Sequence, residues 1–392
     1  MSNLQEIYKY FEEDKLPSLT EMLDSRMQKL NISQRSMSSD VLTIERKTLQ
    51  RILSNEHQKL DILTLLKVGY FLNTDIEELI KICVASMTPE ELKELEQARK
   101  STFILENFDL EGLKKMGFID KLDFSEIENK LLKFFGLETI YDYQRELGLI
   151  LFSQTKRNYH NKMREFWLKS IEIAFKSIAN LNEYKPELLK QLIERIPAYS
   201  KNEENGLFIV IRALYMVGVT VLVQPYPANT QVKGASFLIK KKPCIILSDY
   251  NKRYDTLWFS LIHELYHILY DYDILLKSNY HLSGENDLFL IEDNANKFAR
   301  NMLLSPEKSQ YIYKIINIPA MVSDFAKKWS IHPAIIYGFY IYDNPSENIK
   351  YRKLIPNTKL SLQNVQHSLF DFQTIEEGIQ TIKEKNFTNL QI

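Results

Sequence analysis

Ser260 to Asp271 reads SLIHELYHILYD, and the pentapeptide within it, His263-Glu264-Leu265-Tyr266-His267, decides how the rest of the chain is read. The surrounding pattern predicts a long helix from about Tyr254 to Tyr270. On a helix, side chains four residues apart leave the same face, so the two imidazoles point in one direction, as a metal ion requires of two nitrogen ligands. Glu264 leaves the helix about 100° away from His263, outside the ligand set but near a water on the ion. A chance H-E-x-x-H arises on the order of once per hundred chains of this length and histidine content, so the bare motif is insufficient. The bland alternative is a buried amphipathic helix with its polar groups satisfied by hydrogen bonds. It would bury two histidines and a glutamate among Leu, Ile, Trp and Tyr without evident partners.

A catalytic zinc ion takes three protein ligands and keeps a position open for water. Downstream lies Ile291 to Pro306, IEDNANKFARNMLLSP, within a second predicted helix from about Leu290 to Leu304. Glu292, Asn296, Ala299 and Leu303 share a face, and the small Ala295 and Ala299 allow close approach to another helix. Glu292 can then reach the ion. Asn296, one turn on, is placed to accept a hydrogen bond from the free ring nitrogen of a ligand histidine.

H-E-L-x-H, followed by E-x-x-A-N-x-F-A and L-x-P (Glu292, Ala295, Asn296, Phe298, Ala299, Leu304, Pro306), resembles the ImmA/IrrE family of zinc metallopeptidases. The resemblance begins upstream, with Ala213 to Val217 leading into GVTVLVQP, then GASF, CIILS and LWFSLIHELYH. It covers about residues 205–310 and continues more weakly into FAKKWSIHPAIIYGF, Phe325 to Phe339. It implies a Zn²⁺ cofactor held by His263, His267 and Glu292, with Glu264 as catalytic base. It also implies a cytoplasmic endopeptidase that cleaves a partner protein, a transcriptional repressor, in a stress, phage or mobile-element response.

The expected fold class is α+β, mostly α: a helical head, a helical middle, and a zincin-like core with a small three-stranded sheet and the HExxH helix. The strands are read in VTVLVQP, GASFLI and CIILS, short β-branched runs between Pro, Gly, Asn and Lys. Leu207 to Val223, LFIVIRALYMVGVTVLV, is 17 residues with Arg212 inside. A membrane span needs about 20 apolar residues, so this stretch is read as a buried helix turning at Gly218 into a strand. The helix-period stripe Phe166, Trp167, Ile171, Ala174, Phe175, Ile178 is read as core. The expected domains are 1–86, a helix-turn-helix-like head; 87–204, a helical connector and middle region; 205–345, the peptidase domain; and 346–392, a C-terminal extension. Gly234 to Ile239 is the strand expected to align substrate by β-addition. Tyr266, Tyr280, His281, Arg300, His332 and Tyr337 can all stabilise an oxyanion. His281, between the two zinc helices, is the first to test.

Members of the resembled family are often preceded by a helix-turn-helix DNA-binding domain, and residues 20–80 fit that pattern. In LDSRMQKLNISQRSMSSD, Asn31 ends a first helix and Ser33-Gln34 opens a second. ERKTLQRILSN is the expected recognition helix, with Arg46, Lys47, Gln50 and Arg51, beside Thr48, as contacts to double-stranded DNA. Arg26 to Lys67 holds eight Lys+Arg against four Asp+Glu. Two departures stand out: the segment from Met37 to Thr48 is one residue longer than the usual pattern, and Ser38 replaces a small packed Ala. A protein-interaction head of the same shape is the alternative.

The whole chain has 392 residues, 50 Lys+Arg against 51 Asp+Glu, and a net charge of −1. That balance excludes a nucleic-acid coat protein but not a local basic face. Cys83 and Cys244 are too few for a Cys-rich zinc site or a disulfide framework, and a reducing cytosol is the simplest compartment. The N-terminus carries Glu6, Glu12, Glu13 and Asp14 and no apolar run, unlike a secretory signal. Two other functions fit the same residues: a DNA-binding regulator whose zinc domain is structural or senses a ligand without turnover, and a non-proteolytic zinc hydrolase.

Overall fold

The computed structural model describes residues 18–54, 61–85, 87–145, 162–227, 232–278, 280–282 and 289–388; the side chains at 85, 145, 277, 278, 280–282 and 289–291 lie outside that description. The chain divides into two compact units, Met1–Ser101 and Thr102–Ile392.

The first unit is helical. α1 (Leu19–Leu30) starts at a reciprocal capping box between Ser18 and Glu21 and ends on Asn31 in the left-handed conformation. α2 (Gln34–Ser36) is capped by Ser33 and passes into a π turn over Met37–Val41, closed by Leu42 N–H donating to Met37 O at 2.8 Å. A π turn holds one residue more than an α turn. Ser38 is buried there and its hydroxyl donates to Arg35 O. α3 (Arg46–Leu53), α4 (Ile62–Leu72) and α5 (Ile76–Ala85) complete the unit. Leu19, Leu23, Met37, Leu49, Ile52 and Val68 form its core.

The boundary between the units falls within α6 (Pro89–Asn107). In the second unit, α7 (Leu110–Lys115), α8 (Phe124–Phe135), α9 (Lys162–Ile178) and α10 (Pro186–Tyr199) lead to α11 (Gly206–Met216), the helical half of the apolar stretch at 207–223. Gly218 turns it into the first strand with φ +87, and a Cβ there would stand 2.5 Å from the backbone of Glu183 and Tyr184. Only glycine meets both demands.

The sheet is mixed. β1 (Thr220–Gln224) runs parallel to β3 (Lys242–Ser248), which pairs antiparallel with β2 (Gly234–Ile239). Lys240 and Lys241 close the β2–β3 hairpin with φ of 51 and 63, the geometry of a tight two-residue turn. A short β4 (Tyr280–Leu282) adds to the outer side of β2, giving the order β1-β3-β2-β4. The three expected strands are therefore joined by a fourth, and β2 is not the open edge expected for substrate: Ala235–Phe237 already pair with β4. α12 (Tyr254–Tyr270) packs on β2 and β3, and α14 (Phe289–Leu303) packs on α12. Between them, where the sequence reads as a polar loop, α13 (Tyr272–Ser278) precedes β4. α15 (Pro306–Tyr313), α16 (Pro319–Lys328), α17 (Pro333–Asp343) and α18 (Ile375–Ile382) follow.

One hydrophobic core runs from Phe103 to Phe387. The expected separations at 204/205 and 345/346 therefore do not divide the structure. Phe370, from the last fifty residues, stacks on Phe134 and Phe166 of α8 and α9 at 5.9 and 5.6 Å. The aromatic stripe of α9 is buried as expected. Among the described residues no helix is long and apolar enough to cross a membrane.

Candidate metal centre

α12 carries Phe259, His263, His267 and the following Asp271 at four-residue steps, so they form one ladder along the helix. α14 carries Glu292, Asn296 and Arg300 at the same step, with Ala295 and Ala299 fully buried beside them. The two small side chains let α14 lie close enough for the ladders to meet. Nε2 of His263 and Nε2 of His267 are 3.2 Å apart, and the Glu292 carboxylate lies 3.4 Å from the first and 3.8 Å from the second.

The other ring nitrogens explain this convergence. His263 Nδ1 meets Asn296 Oδ1 at 3.1 Å, and His267 Nδ1 meets Asp271 Oδ2 at 2.7 Å. Both partners are acceptors, which assigns a proton to each Nδ1 and leaves lone pairs on both Nε2 atoms. Two lone pairs and a carboxylate thus face one point, with both imidazoles buried. A metal ion or a proton among its members relieves the repulsion within such a set. Donors on a tetrahedral zinc-like ion at about 2.0–2.1 Å stand roughly 3.3–3.4 Å apart, and the three separations here bracket that value. The residues fit a divalent metal ion.

Glu264, the residue after His263, meets β2. It is fully buried, and its Oε2 accepts a hydrogen bond from Ser236 Oγ at 2.7 Å. A Cβ at position 234 would stand 2.7 Å from Glu264 Oε1, so Gly234 leaves the space this carboxylate occupies. Ser236 and Gly234, both on β2, are site residues that motif reading does not reveal. Asp271 is a third, legible as the next step of the His263–His267 ladder.

A cavity of about 420 Å³ opens onto His263, Glu292 and Asn296 and is lined further by Phe259, Phe339 and Lys233. Among the expected oxyanion donors, Arg300 also lines it but is forked onto Asp343 by bonds of 2.7 and 2.6 Å. That pairing holds the Asp343 carboxyl below its ordinary range against the opposing cost of burial. His332 is engaged elsewhere: its Nδ1 accepts from Ala334 N–H, its Nε2 faces Glu203 at 2.9 Å, and burial lowers its pKa. Tyr337 stacks on Tyr351, and Tyr266 packs on Phe298 and Tyr270. Tyr280 and His281 lie on β4, with Ser236 opposite His281; the roles expected of their side chains fall outside the described residues.

In the first unit, Leu49 and Ile52 turn α3 inward and leave Arg46, Lys47 and Gln50 exposed, with Arg51 half-buried. No ion pair engages Arg46, Lys47 or Arg51 among the described residues. No family model, curated protein or solved structure matches the chain.

Proposed function

We propose that the protein is a zinc-dependent endopeptidase in which His263, His267 and Glu292 hold the ion and Glu264 is the general base. The observation that carries this reading is the convergence of three electron-pair donors on one buried point beside a cleft, each imidazole oriented through its Nδ1. Two imidazoles, one carboxylate and an open position are the donor set of catalytic zinc sites. When bound, the ion supplies Lewis acidity, polarising a carbonyl and making a water acidic near neutral pH.

The chain's own residues do the rest. Asn296 and Asp271 keep the ligand tautomers, so no proton competes at either Nε2. Glu264 takes the proton of the attacking water on its carboxylate and passes it to the leaving amide nitrogen. Ser236 fixes the rotamer of that carboxylate. The substrate we assign, on the family resemblance, is a partner protein, a transcriptional repressor, cleaved in the cytoplasm.

Glu264→Gln is expected to keep the metal while cleavage falls by about 10²–10⁴-fold, whereas His263→Ala loses both. Comparing protein termini in cells carrying the parent or Glu264→Gln identifies the substrate as one new terminus. A cellular phenotype unchanged by Glu264→Gln would instead favour a regulator without turnover.

The first unit supports a second role. The exposed Arg46, Lys47 and Gln50 on α3, backed by buried Leu49 and Ile52, form a face suited to double-stranded DNA.

A further inference from the structure

Three cationic side chains line the cavity at the metal centre: Lys233, Arg253 and Arg300. Two are committed. Arg253 is forked onto Asp255 by bonds of 3.0 and 2.6 Å, and Arg300 onto Asp343, which also accepts from Tyr313 OH at 2.9 Å. Lys233 makes no ion pair among the described residues. Its ammonium stands 5.9 Å from the Tyr250 ring centroid, at the outer limit of a cation–π contact.

The backbone of Lys233 is nonetheless fixed. Its carbonyl accepts from Ser248 N–H at 2.9 Å and from Ser248 Oγ at 3.2 Å. The next residue, Gly234, packs on the Glu264 carboxylate. Consecutive Cα atoms are about 3.8 Å apart, so the Lys233 backbone is anchored beside the residue that packs on Glu264, and its side chain lines the same cavity as His263 and Glu292. The lining also has an apolar part: Phe259, one turn before His263, meets Phe339 edge-on at 6.0 Å, and the Arg300 guanidinium stands 5.0 Å from the Phe339 ring centroid.

We propose that Lys233 is a specificity-determining residue that binds an Asp or Glu side chain of the substrate within two residues of the scissile bond. The Phe259–Phe339 wall takes the apolar side chain beside it. This assignment rests on the endopeptidase reading and narrows its substrates to segments that place an acidic residue next to an apolar one. The physical reason is the pairing of the cationic side chains: the arginines are held by their own aspartates, so among the described lining residues Lys233 is the Lys or Arg without an ion pair and can meet a carboxylate of the substrate.

The test uses the full-length, zinc-loaded protein carrying Glu264→Gln, so that peptides bind without being cut. The probe is a synthetic decapeptide library with one position varied among Asp, Glu, Asn, Gln, Lys and Leu. Peptides with Asp or Glu are expected to bind about fivefold more tightly than their Asn or Gln counterparts, the scale of one solvent-accessible ion pair. Adding Lys233→Glu is expected to reverse the order in favour of Lys. An unchanged order in Lys233→Glu, or no preference for acid over amide in its parent, overturns the proposal. The endopeptidase reading fails by a different result, the absence of new peptide ends when the protein with Glu264 intact digests the same library.

Discussion

Asp271 carries a prediction that separates a built metal centre from a fortuitous cluster. Its Oδ2 lies 2.7 Å from Nδ1 of His267, whose side chain is fully buried while that of Asp271 is 14% exposed. A hydrogen bond to a charged acceptor contributes about 1.5–3 kcal/mol, and removing the partner of a metal-ligating histidine weakens affinity by about 10–100-fold. Asp271→Ala is therefore expected to weaken zinc binding by about that factor, because His267 loses both its orientation and the charge that makes Nε2 basic. Asp271→Asn keeps an acceptor but removes the charge. Since charge-assisted bonds are about twice as strong as neutral ones, its loss is expected to be roughly half as large in free energy, about 3–10-fold. The assay is a zinc titration against a fluorescent chelator at fixed pH. Thermal unfolding of the metal-free variants serves as control, since the Asp271 N–H that caps α12 on His267 O is retained. Affinities within twofold of the parent for both variants would refute the reasoning.

Other outcomes follow from the same geometry. Gly234→Ala would place its Cβ 2.7 Å from Glu264 Oε1; zinc stoichiometry should persist while cleavage is lost, and an active variant would show that the carboxylate position is immaterial. Gly338→Ala would bring a Cβ to 2.1 Å from Oδ2 of the buried Asp255, which pairs with Arg253. Overpacking of this kind costs about 1–3 kcal/mol, read as a lower thermal midpoint with metal affinity per folded molecule unchanged. In the first unit, Arg46→Ala should weaken DNA binding and reduce the slope of log affinity against log salt by about one; a binding isotherm independent of salt would remove DNA from the account.

Much of this was legible in the chain because it depends on short-range periodicity. The i, i+4 step of His263 and His267 is a helix property, and α12 runs from Tyr254 to Tyr270 as the pattern reads. Asn296 likewise follows from one helical turn beyond Glu292, and its Oδ1 does meet His263 Nδ1. Gly218 marks the change from helix to strand because positive φ and a close backbone leave room for no Cβ.

What escaped the sequence depends on contacts between distant segments. Ser236 and Gly234 lie about thirty residues before Glu264, and nothing local marks them as its partners; they meet it because α12 packs on β2. The boundaries expected at 204/205 and 345/346 rested on changes of texture, whereas packing followed volume: Phe134, Phe166 and Phe370 fill one core. Arg300 shows the same limit, since its chemistry suits an oxyanion but Asp343, 43 residues on, takes both arms of its fork.

The sequence by itself placed His263, His267 and Glu292, the candidate metal donors, on two helical faces, because that information repeats every turn of a helix. The tertiary structure decided their convergence, the acceptors that face each imidazole Nδ1, the contact of Glu264 with Ser236 and the ion pairs of Arg253 and Arg300 on the cavity wall. Those depend on which side chains are brought within about 3 Å of one another, and hydrogen bonding at that range is set by packing rather than by spacing along the chain.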